Sequence, residues 1–359
     1  MIKYSKLKFI IVIVLVLASG FKSYSQADIR LGVFYFDGWT GRTNHITSSL
    51  KNNFTERQPI WGWITSTPAI MKKQIDVAAD AGIEFFNFCW YPNSKGKSLL
   101  ADPKNQAMKL FMKEPNTSRL KFSIVVVNNG TYTINKNDWN ALENYWISLM
   151  KAPNYLKSSN GHAILSFFTL KSLLITFGNE GGVKAAFTSL RKKALVNGIR
   201  GIDIAVCDAG DAATMQLADR CGADYISAYN NHSYGFEKAK AATANISAMN
   251  TQELKLWTLK KPLSRLKQIP TITLNWDPRP ATGAKSKKYF SGYSGQSIYN
   301  QVISCRKWIA ANPGAVSPDK LVFIYAWNEY VEGAWLTPSA KLGYSLINGL
   351  KRGLSDSIN

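Results

Sequence analysis

Glu329 and Glu332 stand three residues apart in the run Ala326-Trp327-Asn328-Glu329-Tyr330-Val331-Glu332-Gly333-Ala334-Trp335, directly after the apolar stretch 321–325. Two carboxyls delivered by one strand can cleave a glycosidic bond. One protonates the leaving oxygen, and the other takes up a proton or stabilises a cationic sugar. If the chain turns helically from Glu329, positions i and i+3 share a face with Cβ atoms roughly 5 to 6 Å apart. The plainer alternative, two acids capping the first turn of a helix, gives no reason for the flanking Trp327, Asn328 and Trp335. Glu329 and Glu332 are therefore expected as the catalytic pair, with Trp327, Asn328 and Trp335 in the walls of the site.

Such a pair needs a scaffold, and the pattern of the chain supplies one. Eight apolar runs of strand length, at 31–36, 83–90, 121–127, 162–168, 202–207, 224–229, 271–276 and 321–327, alternate with segments of helical period. Among the helical segments, one repeats Trp139, Leu142, Trp146 and Leu149, another Val183, Phe187, Leu190 and Ala194, and a third Ile298, Val302, Cys305 and Ile309. Gly82, Gly198 and Gly222 stand where helices should stop before strands. Eight strand-helix units predict the α/β class and a single (β/α)8 TIM barrel, with chemistry at the C-terminal ends of its strands. A doubly wound open sheet is the rival architecture, but no glycine-rich phosphate loop follows the first strand.

The residues at the strand ends are those a sugar site needs. Trp90 and Tyr91 end the second strand, Asn128 the third, Tyr229 and Asn230 the sixth, and Trp276, Asp277 and Arg279 the seventh. Aromatic faces stack on the C–H faces of sugar rings while amides and charged groups bond the hydroxyls. A polysaccharide or oligosaccharide is thus the expected partner. Neither metal nor cofactor is expected, because His45, His162 and His232 lie far apart with no second ligand at metal spacing. Cys89, Cys207, Cys221 and Cys305 lack paired zinc spacings and are expected as buried thiols, with a Cys207 to Cys221 bridge left open.

Lys3, Lys6 and Lys8 precede the apolar residues 9–18, and Ser23 and Ser25 offer small residues for cleavage before Gln26. Residues 1–25 therefore read as a cleaved export signal, and 26–359 as one catalytic domain in a secreted or periplasmic location without a stable membrane anchor. A permanent single-span anchor is the other reading. The chain carries 44 Lys and Arg against 23 Asp and Glu, a net +21 that becomes +17 once Lys3, Lys6, Lys8 and Lys22 leave with the signal. That excess suits an anionic glycan, or is only a solvated surface. Export removes nucleic acid as the partner.

The run Trp327-Asn328-Glu329-Tyr330-Val331-Glu332-Gly333 resembles the signature of the glycoside hydrolase family 99-like proteins, also described as WbsX-like, which include endo-α-mannosidases. The likeness extends through residues 74–91, through Pro153-Asn154-Tyr155-Leu156 with Asn160-Gly161-His162, and through Asn275-Trp276-Asp277-Pro278-Arg279-Pro280. The resemblance implies a (β/α)8 fold and endo-acting, retaining hydrolysis of an α-linked glycan through the sugar's own 2-hydroxyl. In that scheme Glu329 is the base that deprotonates the hydroxyl and Glu332 is the acid and then base. Tyr35 and Tyr229 match aromatic positions of the family's sugar pocket. Family members commonly continue with Leu-Glu-Pro-Asp where this chain has Leu336-Thr337-Pro338-Ser339, and Phe36-Asp37-Gly38-Trp39 departs from their usual first-strand opening. The sugar is therefore left open. A non-catalytic carbohydrate-binding barrel and, further off, a glycosyltransferase are the competing classes.

Overall fold

Every pairing in the main sheet is parallel, and the sheet closes on itself through one interrupted strand. The barrel strands are β1 (Arg30–Tyr35), β2 (Phe85–Trp90), β3 (Lys121–Val126), β4 (Ala163–Phe167), β5 (Ile202–Val206), β6 (Tyr225–Ile226), β7 in two pieces (Lys267–Gln268 and Thr271–Thr273) and β8 (Leu321–Tyr325). The first piece of β7 pairs with β6 and the second with β8, while β1 lies between β2 and β8. Pro270 marks the change of neighbour, since it has no N–H to give to a ladder. Ile269 N donates to Ile226 O at 2.9 Å, and Pro270 O accepts from Phe323 N at 2.9 Å on the other side. The computed structural model describes residues 29–93, 98–208, 211–237, 243–282 and 288–358. The export signal expected over residues 1–25 lies outside these.

The eight strand positions agree with the apolar runs, and the doubly wound alternative is excluded by the closure. Two ends differ. The sixth run extends to Tyr229, but its ladder stops at Ile226 because side chains take over: Ser227 Oγ donates to Ile269 O at 2.8 Å and Thr271 Oγ1 to Ala228 O at 2.7 Å. The seventh run likewise leaves the ladder after Thr273.

Helices pack on the outside with the stripes the periodicity predicts. Trp139–Met150 buries Trp139, Leu142, Trp146 and Leu149; Glu180–Val196 buries Val183, Phe187, Leu190 and Ala194; Gly295–Ala311 buries Ile298, Val302, Cys305 and Ile309. Each large apolar side chain so buried contributes about 1.5 to 3 kcal/mol. Gly82, Gly198 and Gly222 hold positive φ after their helices. The floor of the barrel is aromatic. Phe85 lies over Gly32, where a Cβ would come within 2.0 Å of its ring, and meets Phe323 at 6.0 Å between centroids. All four cysteines are buried and free, so no Cys207 to Cys221 bridge forms. Among the described residues no helix is long and apolar enough to cross a membrane.

Candidate active site

After β8 the chain makes a hairpin instead of a helix. Asn328–Glu329 pairs antiparallel with Ala334–Trp335, and the turn between them closes at Gly333, whose φ of 76° lies in the left-handed region. The reason is where the turn's carbonyls find donors. Arg57 Nη1 donates to Tyr330 O at 2.9 Å and Val331 O at 3.4 Å, Asp277 N donates to Glu332 O at 2.6 Å, and Asn275 Nδ2 donates to Gly333 O at 2.6 Å. In a helix the following N–H groups would take these carbonyls. Here the segment after β7 and the loop carrying Arg57 take them first, so tertiary donors override the local helical option.

Both carboxyls of the hairpin have phenol partners. Tyr229 donates to Glu329 at 2.5 Å, and Tyr325, the last residue of β8, donates to Glu332, which also receives the Trp276 indole. Burial, then the neighbouring Glu332 charge, pushes the Glu329 carboxyl well above the usual carboxylate range; burial also raises Glu332, against its two donors. Both carboxyls therefore bind a proton more tightly than an exposed carboxyl does, and a single proton on the pair removes the repulsion between them. Tyr229 sits within a ring of aromatics, with centroids 4.8 Å from Phe34, 5.2 Å from Phe168 and 5.0 Å from Tyr325. Trp276 stacks on His232 at 4.0 Å with planes 7° apart, and burial lowers His232 to about 4, so this platform is uncharged at neutral pH.

The structure brings together only part of the expected set. Glu329, Glu332, Tyr229 and Trp276 converge. Tyr91 borders them: burial, then Cys89 and Glu329, raise its phenol, and its ring meets Phe36 and Tyr132 at 6.5 and 4.9 Å. Asn230 reaches the platform through His232 Nδ1 at 2.5 Å. Tyr35, Trp90 and Trp327 point the other way, toward the helices. Tyr35 and Trp327 both donate to Gln74 Oε1, at 3.2 and 2.8 Å, and Trp90 lies between Tyr145 and Trp146. These three are core, not sugar platforms.

Five further residues brace the site instead of lining it. Asn128 spends both ends of its amide on Thr169 N and O. Asn328 accepts from Phe36 N at 2.9 Å and, through its carbonyl, from Trp39 Nε1 at 2.9 Å, which splints the hairpin to β1. Asp277 is held between Arg57 and Arg279, whose Nε and Nη2 reach it at 2.7 and 2.8 Å. Arg279 in turn covers the Tyr289 ring at 3.6 Å and remains partly exposed. Trp335 packs on Tyr293 at 5.1 Å and gives its carbonyl to the Tyr293 hydroxyl. Among the described residues no group of His, Cys, Asp or Glu side chains is placed to hold a metal ion.

Two residues of consequence escaped the sequence reading. Tyr325 follows Phe323 by two, so period-two alternation from an inward Phe323 could have found it. Arg57 had no signal, standing in a short 3-10 turn with no pattern around it. Its guanidinium is buried and holds Asp277 and the hairpin together. Replacing Arg57 with Met leaves two turn carbonyls without their donor and Asp277 with only Arg279. The expected loss is about 3 kcal/mol, the lower end for breaking a buried pair because Arg279 remains. A shift of the urea midpoint to lower concentration checks it, and an unchanged midpoint would show that the hairpin is held by other means.

Comparison with known proteins places this geometry in context. The model of the family described as Glycosyltransferase WbsX matches residues 63–350. The uncharacterized protein WxcX of Xanthomonas campestris pv. campestris (strain B100) is 31% identical over 101 residues, covering 27% of this chain and 13% of that protein's length. A solved structure described as a glycoside hydrolase-like protein superposes with a TM-score of 0.66 at 16% identity, covering 92% of this chain and 95% of that one. The family 99 endo-α-mannosidase from Bacteroides thetaiotaomicron does so with a TM-score of 0.61 at 13% identity, covering 90% of this chain and 95% of that one. At these identities the structural likeness is one of fold.

Proposed function

The chain belongs to the WbsX family, and from that premise we propose that it is an exported glycoside hydrolase that cleaves an α-linked glycan with retention. The observation that carries the reading is the pair of buried Glu329 and half-buried Glu332, each bonded to a phenol at the end of a barrel-strand run and walled by aromatic rings. Paired carboxyls with raised proton affinity are what general acid and base catalysis near neutral pH requires.

In the proposed reaction Glu329 removes the proton of the sugar's 2-hydroxyl, and that oxygen attacks the anomeric carbon. Glu332 gives its proton to the departing glycosidic oxygen, so a 1,2-anhydro sugar and a shortened glycan result. Water then attacks the anomeric carbon, losing a proton to Glu332, while the 2-oxygen recovers its proton from Glu329. Both carboxyls end as they began. The roles demand that the pair's single proton lie on Glu332 when substrate is bound. In the free site Glu332 has two donors and Glu329 one, which favours the proton on Glu329. Substrate must therefore shift it, and a 2-hydroxyl donating to Glu329 would do so by stabilising that carboxylate.

A second reading, transfer of the sugar to another hydroxyl, is favoured by the family's description. It shares the first step and differs in the acceptor. Incubating the purified protein with α-linked oligosaccharides in ¹⁸O-water decides between them. Hydrolysis places one ¹⁸O at each new reducing end, whereas unlabelled, elongated products would replace the hydrolase reading with the transferase one.

A further inference from the structure

Period two along β2 sets Asn87 and Cys89 on the inward face that Phe85 begins at the barrel floor. Cys89 is 3% exposed, and its Sγ donates to the Tyr229 hydroxyl oxygen at 3.7 Å. Tyr229 in turn donates to Glu329 at 2.5 Å. Thiol, phenol and carboxyl thus form one chain, which starts in the barrel interior and ends at the expected base. Its direction is fixed at both ends. An ionised Glu329 can only accept, and the thiol keeps its proton because burial, then the Glu329 charge, push it well above the ordinary thiol range.

We infer that Cys89 is a positioning residue for Glu329: its S–H donates to the Tyr229 oxygen, holds the phenol O–H on Glu329 and strengthens that bond. A phenol O–H can rotate about its C–O bond, and a donor at the oxygen leaves its proton the direction of the carboxyl. Donation also polarises the phenol, a cooperative strengthening of about 10 to 30% per bond in such chains. The consequence falls on the proton of the carboxyl pair. A better donor at Glu329 stabilises that carboxylate and moves the balance toward a proton on Glu332, which the proposed reaction requires. Glu332, Tyr325 and Tyr91 also face Glu329, so Cys89 adjusts a balance that they set as well. A thiol that merely fills space in the barrel would leave the titration of Glu329 untouched.

Infrared spectroscopy of the full chain tests this without substrate. S–H stretching bands lie clear of other protein absorption, and a thiol that donates absorbs at lower wavenumber than a free one. Cys89→Val is expected to remove one thiol contribution of the four, and Tyr229→Phe to move that same contribution to higher wavenumber while the other three stay in place. The effect on the base is read in Glu332→Gln, where Glu329 titrates alone. Adding Cys89→Val to that variant is expected to raise the pH midpoint of the Glu329 carboxyl band. A thiol band indifferent to Tyr229→Phe, or a midpoint that Cys89→Val leaves unmoved or lowers, overturns the inference. If Cys89→Val does not fold, Cys89→Ser assigns the thiol band and its response to Tyr229→Phe decides. The inference rests on the hydrolase reading only for the reaction it serves, so absence of hydrolysis alongside both infrared results would overturn that reading and leave the chain from Cys89 to Glu329 standing.

Discussion

Glu329→Gln and Glu332→Gln are each expected to lower turnover by roughly 10² to 10⁴, the usual loss when a general acid or base is removed, while the fold gains stability near neutral pH. The second half of that result separates a catalytic pair from a structural one. Both carboxyls are held above their ordinary range, Glu329 by burial and by Glu332, and Glu332 by burial. A raised folded-state affinity means the folded chain binds more protons than the unfolded chain. Stability is then fully present below the ordinary carboxylate range and falls as pH rises through the raised values. Glutamine keeps an oxygen to accept from Tyr229 or Tyr325 and carries no charge to bury, so that fall disappears. Melting curves at acid and neutral pH should show the variants and wild type converging in acid and the variants melting higher at neutral pH. Full activity in either variant would falsify the assignment of that carboxyl. A variant that is inactive but melts lower at every pH would mark its glutamate as a brace.

The pairing of stability gain with activity loss also shows where the sequence was readable. The carboxyl pair, the eight strands and the helix stripes rest on periodicity and spacing, which survive in a linear text. Which way each strand turns its side chains does not. A parallel barrel strand is apolar on both faces, so the stretch 31–36 carries no alternation to say whether Phe34 or Tyr35 faces the axis. Phe34 does, and Tyr35 goes to Gln74; one residue of parity likewise sends Trp90 outward while its neighbour Tyr91 borders the site. Asp277 was misread for a different reason. A carboxylate at a strand end has the same letter whether it meets a sugar or a buried arginine, and Arg57 lies 220 residues away. The hairpin at Glu329 follows from the same long-range donors, which no local pattern announces.

A substrate whose 2-hydroxyl is replaced by hydrogen or fluorine is expected to bind and to remain uncleaved, with no sugar left on the protein. If the 2-oxygen is the nucleophile, its removal deletes the bond-forming atom, and Glu329 has only a proton-transfer role that it can no longer play. A conventional double displacement gives the opposite result. There a carboxylate attacks the anomeric carbon, and a 2-fluoro sugar accumulates as a covalent ester because fluorine slows both steps while a good leaving group restores only the first. The surroundings of Glu329 bear on the choice. Its Oε1 accepts from Tyr229, and its pKa is raised by burial and by Glu332, so it is a stronger base than an ordinary carboxylate, suited to taking a hydroxyl proton. Intact-protein mass spectrometry after incubation with the 2-fluoro glycoside separates the outcomes. An unmodified mass together with retained binding supports participation of the 2-hydroxyl. A stable adduct mapped to Glu329 or Glu332 would end that mechanism and keep the hydrolase, because either carboxyl would then have shown itself able to reach the anomeric carbon.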